Sequence, residues 1–259
     1  ICCTENSANI MGTMANIIGD FNGDGIDDAI FQTDNPIILY GSTEGLPANF
    51  NSTWINGKNG AIVENNFPFA SYFSYGIGDI NGDKLADIFM HVKSYSNGDA
   101  YYVILAARNF PAVFSPANLD GSNGFQIITK LNSLYTLSAL PVKDVNNDGF
   151  GDVLFYYNQG GKGGNTYYNI LNLNPANEVF PPHDDDIYFG DDDSRFPVNT
   201  LSIVADGDVD GDKITDMVFG CAWCPSSSLT REGPSNPTGR VYVVKGNQNG
   251  FPEKITLKG

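Results

Sequence analysis

A nine-residue acidic phrase occurs four times in this chain, so any fold it adopts must use that phrase four times over. The copies read DFNGDGIDD at 20–28, DINGDKLAD at 79–87, DVNNDGFGD at 144–152 and DVDGDKITD at 208–216. Their starts lie 59, 65 and 64 residues apart, and a near-constant period means one structural unit used repeatedly. Each phrase runs into an apolar segment (AIFQ, IFMHV, VLFYY, MVFG), and a second apolar segment follows (PIILYG, AYYVILAA, TYYNILNL, GRVYVVKG). Short runs of strand formers broken by Gly, Asn and Pro predict β-sheet, and no stretch predicts a helix of three turns.

A unit of about 60 residues with about four strands is blade-sized, and radial repetition of blades makes a β-propeller. The expected fold is all-β: a β-propeller of four-stranded antiparallel blades with four blades represented, as a closed ring or as part of a larger propeller. One domain, 1–259, divides into units of approximately 12–70, 71–131, 132–196 and 197–259, with residues 1–11 completing the last blade. In unit two the strands fall at 72–78, 86–92, 100–107 and 124–130. The phrase then joins the first two strands as a tight hairpin.

Positions 1, 3, 5 and 9 of every phrase carry an oxygen-bearing side chain. They are Asp20, Asn22, Asp24 and Asp28; Asp79, Asn81, Asp83 and Asp87; Asp144, Asn146, Asp148 and Asp152; and Asp208, Asp210, Asp212 and Asp216. A backbone carbonyl at position 7 (Ile26, Leu85, Phe150, Ile214) joins them. Crowded carboxylates stay ionised together only with positive charge among them. The acidity is placed: of 30 acidic residues 24 are Asp, and 14 of those fall inside the four phrases. An all-oxygen donor set of this size predicts a hard cation, and its flexibility suits Ca²⁺ better than Mg²⁺, one ion per phrase and up to four in all. An EF-hand begins with the same spacing but needs Glu at position 12 and flanking helices. Position 12 here is Phe31, Met90, Phe155 and Phe219, which excludes it. The metal-free alternative is a set of Asx-turns. Position 6 is Gly25 and Gly149 in two phrases but Lys84 and Lys213 in the others; a left-handed backbone there would cost lysine about 1 kcal/mol and weaken those two sites.

The remaining features exclude more than they assign. A formal charge of −16 with no basic cluster argues against nucleic-acid binding. No apolar stretch is long enough to span a membrane. The chain starts at Ile1 without a signal-like segment, as expected of a processed product or an excised segment. Cys2, Cys3, Cys221 and Cys224 are expected to form two disulfides that tie the N-terminus to the last unit, with zinc or free thiols as the alternative. Asn51 heads an NST glycosylation sequon. The acidic run 183–196 reads as a solvated loop or a further cation site. His91 reads as packing or surface, and Trp54 and Trp223 as core or as sugar-stacking platforms. No HExxH, GxSxG or phosphate-cradling loop occurs, so no catalytic centre can be assembled and none is expected.

The four phrases, with VFG at 218–220 and GRVYVV at 239–244, resemble FG-GAP repeats, the blade unit of integrin α-subunit propellers and of many bacterial and protist surface proteins. The resemblance implies that the loop calcium is structural, stapling each hairpin on one face while loops on the other face meet partners, and that the sixteen side chains above are its ligands. It departs from the family in having four motifs where integrin propellers have seven blades, in lacking an intact GAP, and in diverging in unit three after NILNL. The functional expectation is a secreted or cell-surface, non-enzymatic adhesion or assembly module that binds a protein, matrix or cell-surface ligand. The alternatives are a lectin-like propeller that binds glycans and an accessory domain of a secreted hydrolase.

Overall fold

The computed structural model describes residues 14–47, 50–64, 70–94, 99–127, 135–159, 166–171, 201–221 and 240–249. Among them the chain is all-β, with fifteen strands and two three-residue 3₁₀ turns at Ser52–Trp54 and Pro116–Asn118. Backbone contacts divide it into two compact units. The first holds the first two acidic phrases and the second holds the other two.

The first unit contains β1 (Ala15–Gly19), β2 (Asp28–Phe31), β3 (Ile37–Leu39), β4 (Gly60–Val63), β5 (Ala70–Gly78), β6 (Asp87–Ser94), β7 (Ala100–Ile104), β8 (Val113–Phe114) and β9 (Gly124–Ile127). One sheet has the order β1-β2-β3-β4-β8 and the other β5-β6-β7-β9. The strands expected in unit two are all present, and the third ends at Ile104, sooner than its apolar run suggested. Strand β8 goes beyond the expectation. It pairs parallel with β4, Ile62 opposite Val113, because the PAVF segment buries Phe114 beside Phe110, ring centroids 5.0 Å apart.

Alternation along the strands decides what packs. Ile30 and Ile38 are cross-strand partners and point into the core with Ile18, Ala61 and Val63. From the other sheet they meet Ile88, Met90, Val92, Tyr102 and Ile104. The sheets come close at Gly76, where a Cβ would stand 2.6 Å from the Ile18 carbonyl oxygen. The second sheet is buried on its opposite face too, through Phe89, His91, Tyr101 and Val103. There His91 lies between the rings of Phe73 and Tyr101, 5.6 and 4.7 Å away, with its Nε2 3.0 Å from Asp99 Oδ2. Burial pushes the His91 pKa down. It is a packed residue, as the sequence suggested.

The second unit contains β10 (Tyr135–Val142), β11 (Asp152–Gln159) and β12 (Thr166–Leu171) in one sheet. Strands β13 (Leu201–Gly207), β14 (Asp216–Cys221) and β15 (Arg240–Val244) form another. Pro141 is accommodated because β10 is at the end of its sheet, where a missing donor leaves no ladder bond unmade. Each of these sheets shows three strands among the described residues. Cys2, Cys3, Cys224, His183, Trp223, the run 183–196, residues 1–11 and the side chain of Cys221 lie outside them.

Candidate metal centres

All four phrases sit where the sequence placed them, closing the hairpins β1–β2, β5–β6, β10–β11 and β13–β14. Their backbones repeat one conformation. Position 6 is left-handed every time, at φ 88°, 70°, 94° and 73° for Gly25, Lys84, Gly149 and Lys213. The condition attached to the two lysines is thus met. Position 4 is left-handed as well, at Gly23, Gly82, Asn147 and Gly211, a requirement the sequence reading missed although three of the four are glycine.

This double turn points backbone N–H groups at the carboxylates. Position 1 accepts from position 6: Gly25 to Asp20 Oδ2 at 2.8 Å, Lys84 to Asp79 at 2.8 Å, Gly149 to Asp144 at 2.8 Å and Lys213 to Asp208 at 3.0 Å. Position 5 accepts from position 7, by Ile26, Leu85, Phe150 and Ile214 at 2.8–2.9 Å. In the first three loops the position 3 asparagine accepts the N–H of position 5 and donates its amide to that same aspartate, at 3.1 Å in each case. These are the Asx-turns of the metal-free alternative, and they tie the side chain of position 3 to position 5.

Position 9 decides whether that network suffices. Asp28, Asp87, Asp152 and Asp216 are all buried at the first residue of the second strand. Each accepts the N–H of position 2, from Phe21, Ile80, Val145 and Val209 at 2.8–3.0 Å. Three of them accept a second N–H from the segment after the third strand: Gly41 at 2.7 Å, Ala106 at 2.8 Å and Gly246 at 2.8 Å. Asp152 Oδ1 is buried with no partner. Despite these bonds, burial pushes Asp28 up to about 6, Asp87 to about 7 and Asp152 to about 6, and the loop's other carboxylates add to the rise. Desolvation exceeds what the N–H groups return. An all-oxygen donor set at positions 1, 3, 5 and 9 is the chemistry that a hard cation such as Ca²⁺ takes.

The fourth loop differs. Carboxylate oxygens of Asp208, Asp210 and Asp216 lie within 4.8 Å of one another, the one acidic triad so closely drawn among the described residues. Lys245 reaches in, its Nζ 2.7 Å from Asp210 Oδ2, and holds that carboxyl below its ordinary range.

Neighbouring loops are also joined. Ala86, at position 8 of the second phrase, donates to the Asp20 carbonyl at 2.8 Å, and Thr215, at position 8 of the fourth, donates to the Asp144 carbonyl at 3.3 Å. Arg108 donates to the Gly23 carbonyl. Away from the loops, Asn51 caps the 3₁₀ turn, its Oδ1 accepting from Thr53 N at 3.1 Å. Trp54 packs on Phe50, and Phe50 on Phe31; the half-buried indole is part of an aromatic cluster rather than a free platform.

No protein-family profile matches the chain. Over 156 residues it is 29% identical to integrin alpha-V of Gallus gallus, a stretch that covers 56% of this chain and 14% of that protein. The chain therefore spans a small part of this relative's length, and what the comparison establishes is similarity to an integrin α chain over just over half of these residues.

Proposed function

We propose that this chain is a non-enzymatic, calcium-stapled β-propeller segment that serves outside the cell as an adhesion or assembly module. The observation that carries the calcium reading is the buried position 9 aspartate. In the first three loops it accepts the N–H of position 2, yet its carboxyl is pushed up toward neutrality by burial and by its neighbours. The ligands are Asp20, Asn22, Asp24, Asp28 and the Ile26 carbonyl in the first loop, with the matching residues of the other three. Calcium supplies the missing charge, and the chain's own residues hold the hairpin shut around it.

The propeller reading is supported by the equivalent loop-to-loop bonds in the two units, Ala86 to Asp20 and Thr215 to Asp144. It is supported as well by the second sheet, which carries buried residues on both of its faces. The adhesion role rests on similarity to integrin alpha-V.

Thermal unfolding with and without chelator tests the calcium reading. At free calcium about 1,000-fold above Kd, each site stabilises the fold by about 4 kcal/mol, so removal should lower Tm by about 10 °C or more. The pH dependence carries a sign. Without calcium the folded carboxyls of Asp28, Asp87 and Asp152 titrate near 6, 7 and 6, above the ordinary 3.8. Folding then takes up protons, and stability rises as pH falls from about 7 toward 4. With calcium bound the carboxylates are held ionised, and stability falls over the same window. An identical melting curve and pH profile in chelator and in calcium would refute the reading.

A further inference from the structure

Ligand counting alone makes the fourth loop the strongest calcium site, because it replaces the asparagine of position 3 with Asp210. The geometry says otherwise. In the first three loops the position 3 amide donates to the position 5 carboxylate at 3.1 Å, which draws the two side chains together without added charge. Asp210 has no such hydrogen to give and adds a carboxylate beside Asp212. A cation already answers it, the Lys245 ammonium 2.7 Å from Asp210 Oδ2.

The placement of that ammonium is set by the backbone. Lys245 immediately precedes Gly246, whose N–H donates to Asp216 Oδ1 at 2.8 Å. The residues before the matching donors Gly41 and Ala106 are Tyr40 and Leu105, both uncharged and buried. The fourth loop thus carries its own stand-in ion, at the carboxylate a divalent ion would use.

We propose that Lys245 is the resident counter-ion of the fourth loop: it competes with Ca²⁺ for Asp210 and raises the calcium this loop needs to load. The inference rests on the calcium reading above. A unit charge about 6 Å from a divalent ion in a water-like dielectric weakens binding up to about tenfold, less with salt. Lys245 is largely exposed, so the effect belongs at the screened end, about three- to tenfold.

Hydrogen exchange of the whole chain, followed by mass spectrometry during a calcium titration, resolves the four phrases as separate peptides. The expected result is protection of 208–216 at about three- to tenfold higher free calcium than 20–28 and 144–152. Lys245→Met should move that midpoint down by the same factor and leave the other three in place, whereas Lys245→Arg should keep it. An unmoved midpoint in Lys245→Met, or a fourth loop that loads first in the parent chain, would overturn the proposal. If no phrase gains protection in millimolar calcium, the calcium reading itself has failed, and the proposal falls with it.

Discussion

The first and fourth repeats start from the same phrase and the same hairpin, yet one is enclosed and the other is open. In the first, Phe21 at position 2 is fully buried, edge-on to Phe110 with ring centroids 4.8 Å apart. In the fourth, Val209 at the same position is 56% exposed. The sheet faces follow suit. Ile30 and Ile38 pair across β2 and β3 and are fully buried by the second repeat, while their counterparts in β14 and β15 are Val218 and Val243, the latter 50% exposed. The third repeat sides with the first: Val145 is buried, and its carbonyl accepts from Asn247 of the fourth at 3.0 Å. At both Phe21 and Val145, position 2 is sheltered by the repeat that follows in the same unit, and the phrase alone does not bury it.

Substitutions at three positions of the phrase sharpen or break this contrast. The largest gap belongs to position 2. Phe21→Ala should cost about 3–5 kcal/mol through the cavity left beside Phe110, and Val209→Ala less than about 0.5 kcal/mol. Chemical denaturation measures both, and similar losses would mean that Val209 is covered in solution. Next comes the position 9 latch. Asp28→Ala strands the N–H groups of Phe21, Asn22 and Gly41, for about 3 kcal/mol. Asp216→Ala strands those of Val209 and Gly246 beside an exposed loop and should cost about half as much. The smallest effect is at position 6, where Lys84→Gly should stabilise by about 1 kcal/mol by relieving φ 70°. A loss there would show that the Lys84 side chain contributes something the backbone strain conceals.

Much of the architecture was legible in advance because it is local. The hairpin at each phrase, the strand that follows it and the exclusion of helix come from residue spacing and from strand formers bounded by Gly and Asn. The left-handed position 6 was legible too, since glycine at Gly25 and Gly149 pointed to it. Position 4 was missed although Gly23, Gly82 and Gly211 mark it and Asn147 takes the same left-handed turn. Strand β8 was missed because a two-residue strand has no period to detect. In the loops, the acid spacing named the oxygen donors but not their unequal roles. Position 9 looks like the other aspartates on paper, and only in the fold is it buried, taking N–H groups from residues as distant as Gly41 and Ala106.

By itself the sequence determined where charge collects and where chain direction reverses, because carboxylate spacing and turn preference act over fewer than ten residues. The tertiary structure alone decided which carboxylates lose their water, which apolar side chains are covered, and that Lys245, more than thirty residues beyond Asp210, returns to neutralise it. Desolvation and ion pairing depend on what stands within a few ångströms in space, and that distance is set only when strands from separate parts of the chain are laid side by side.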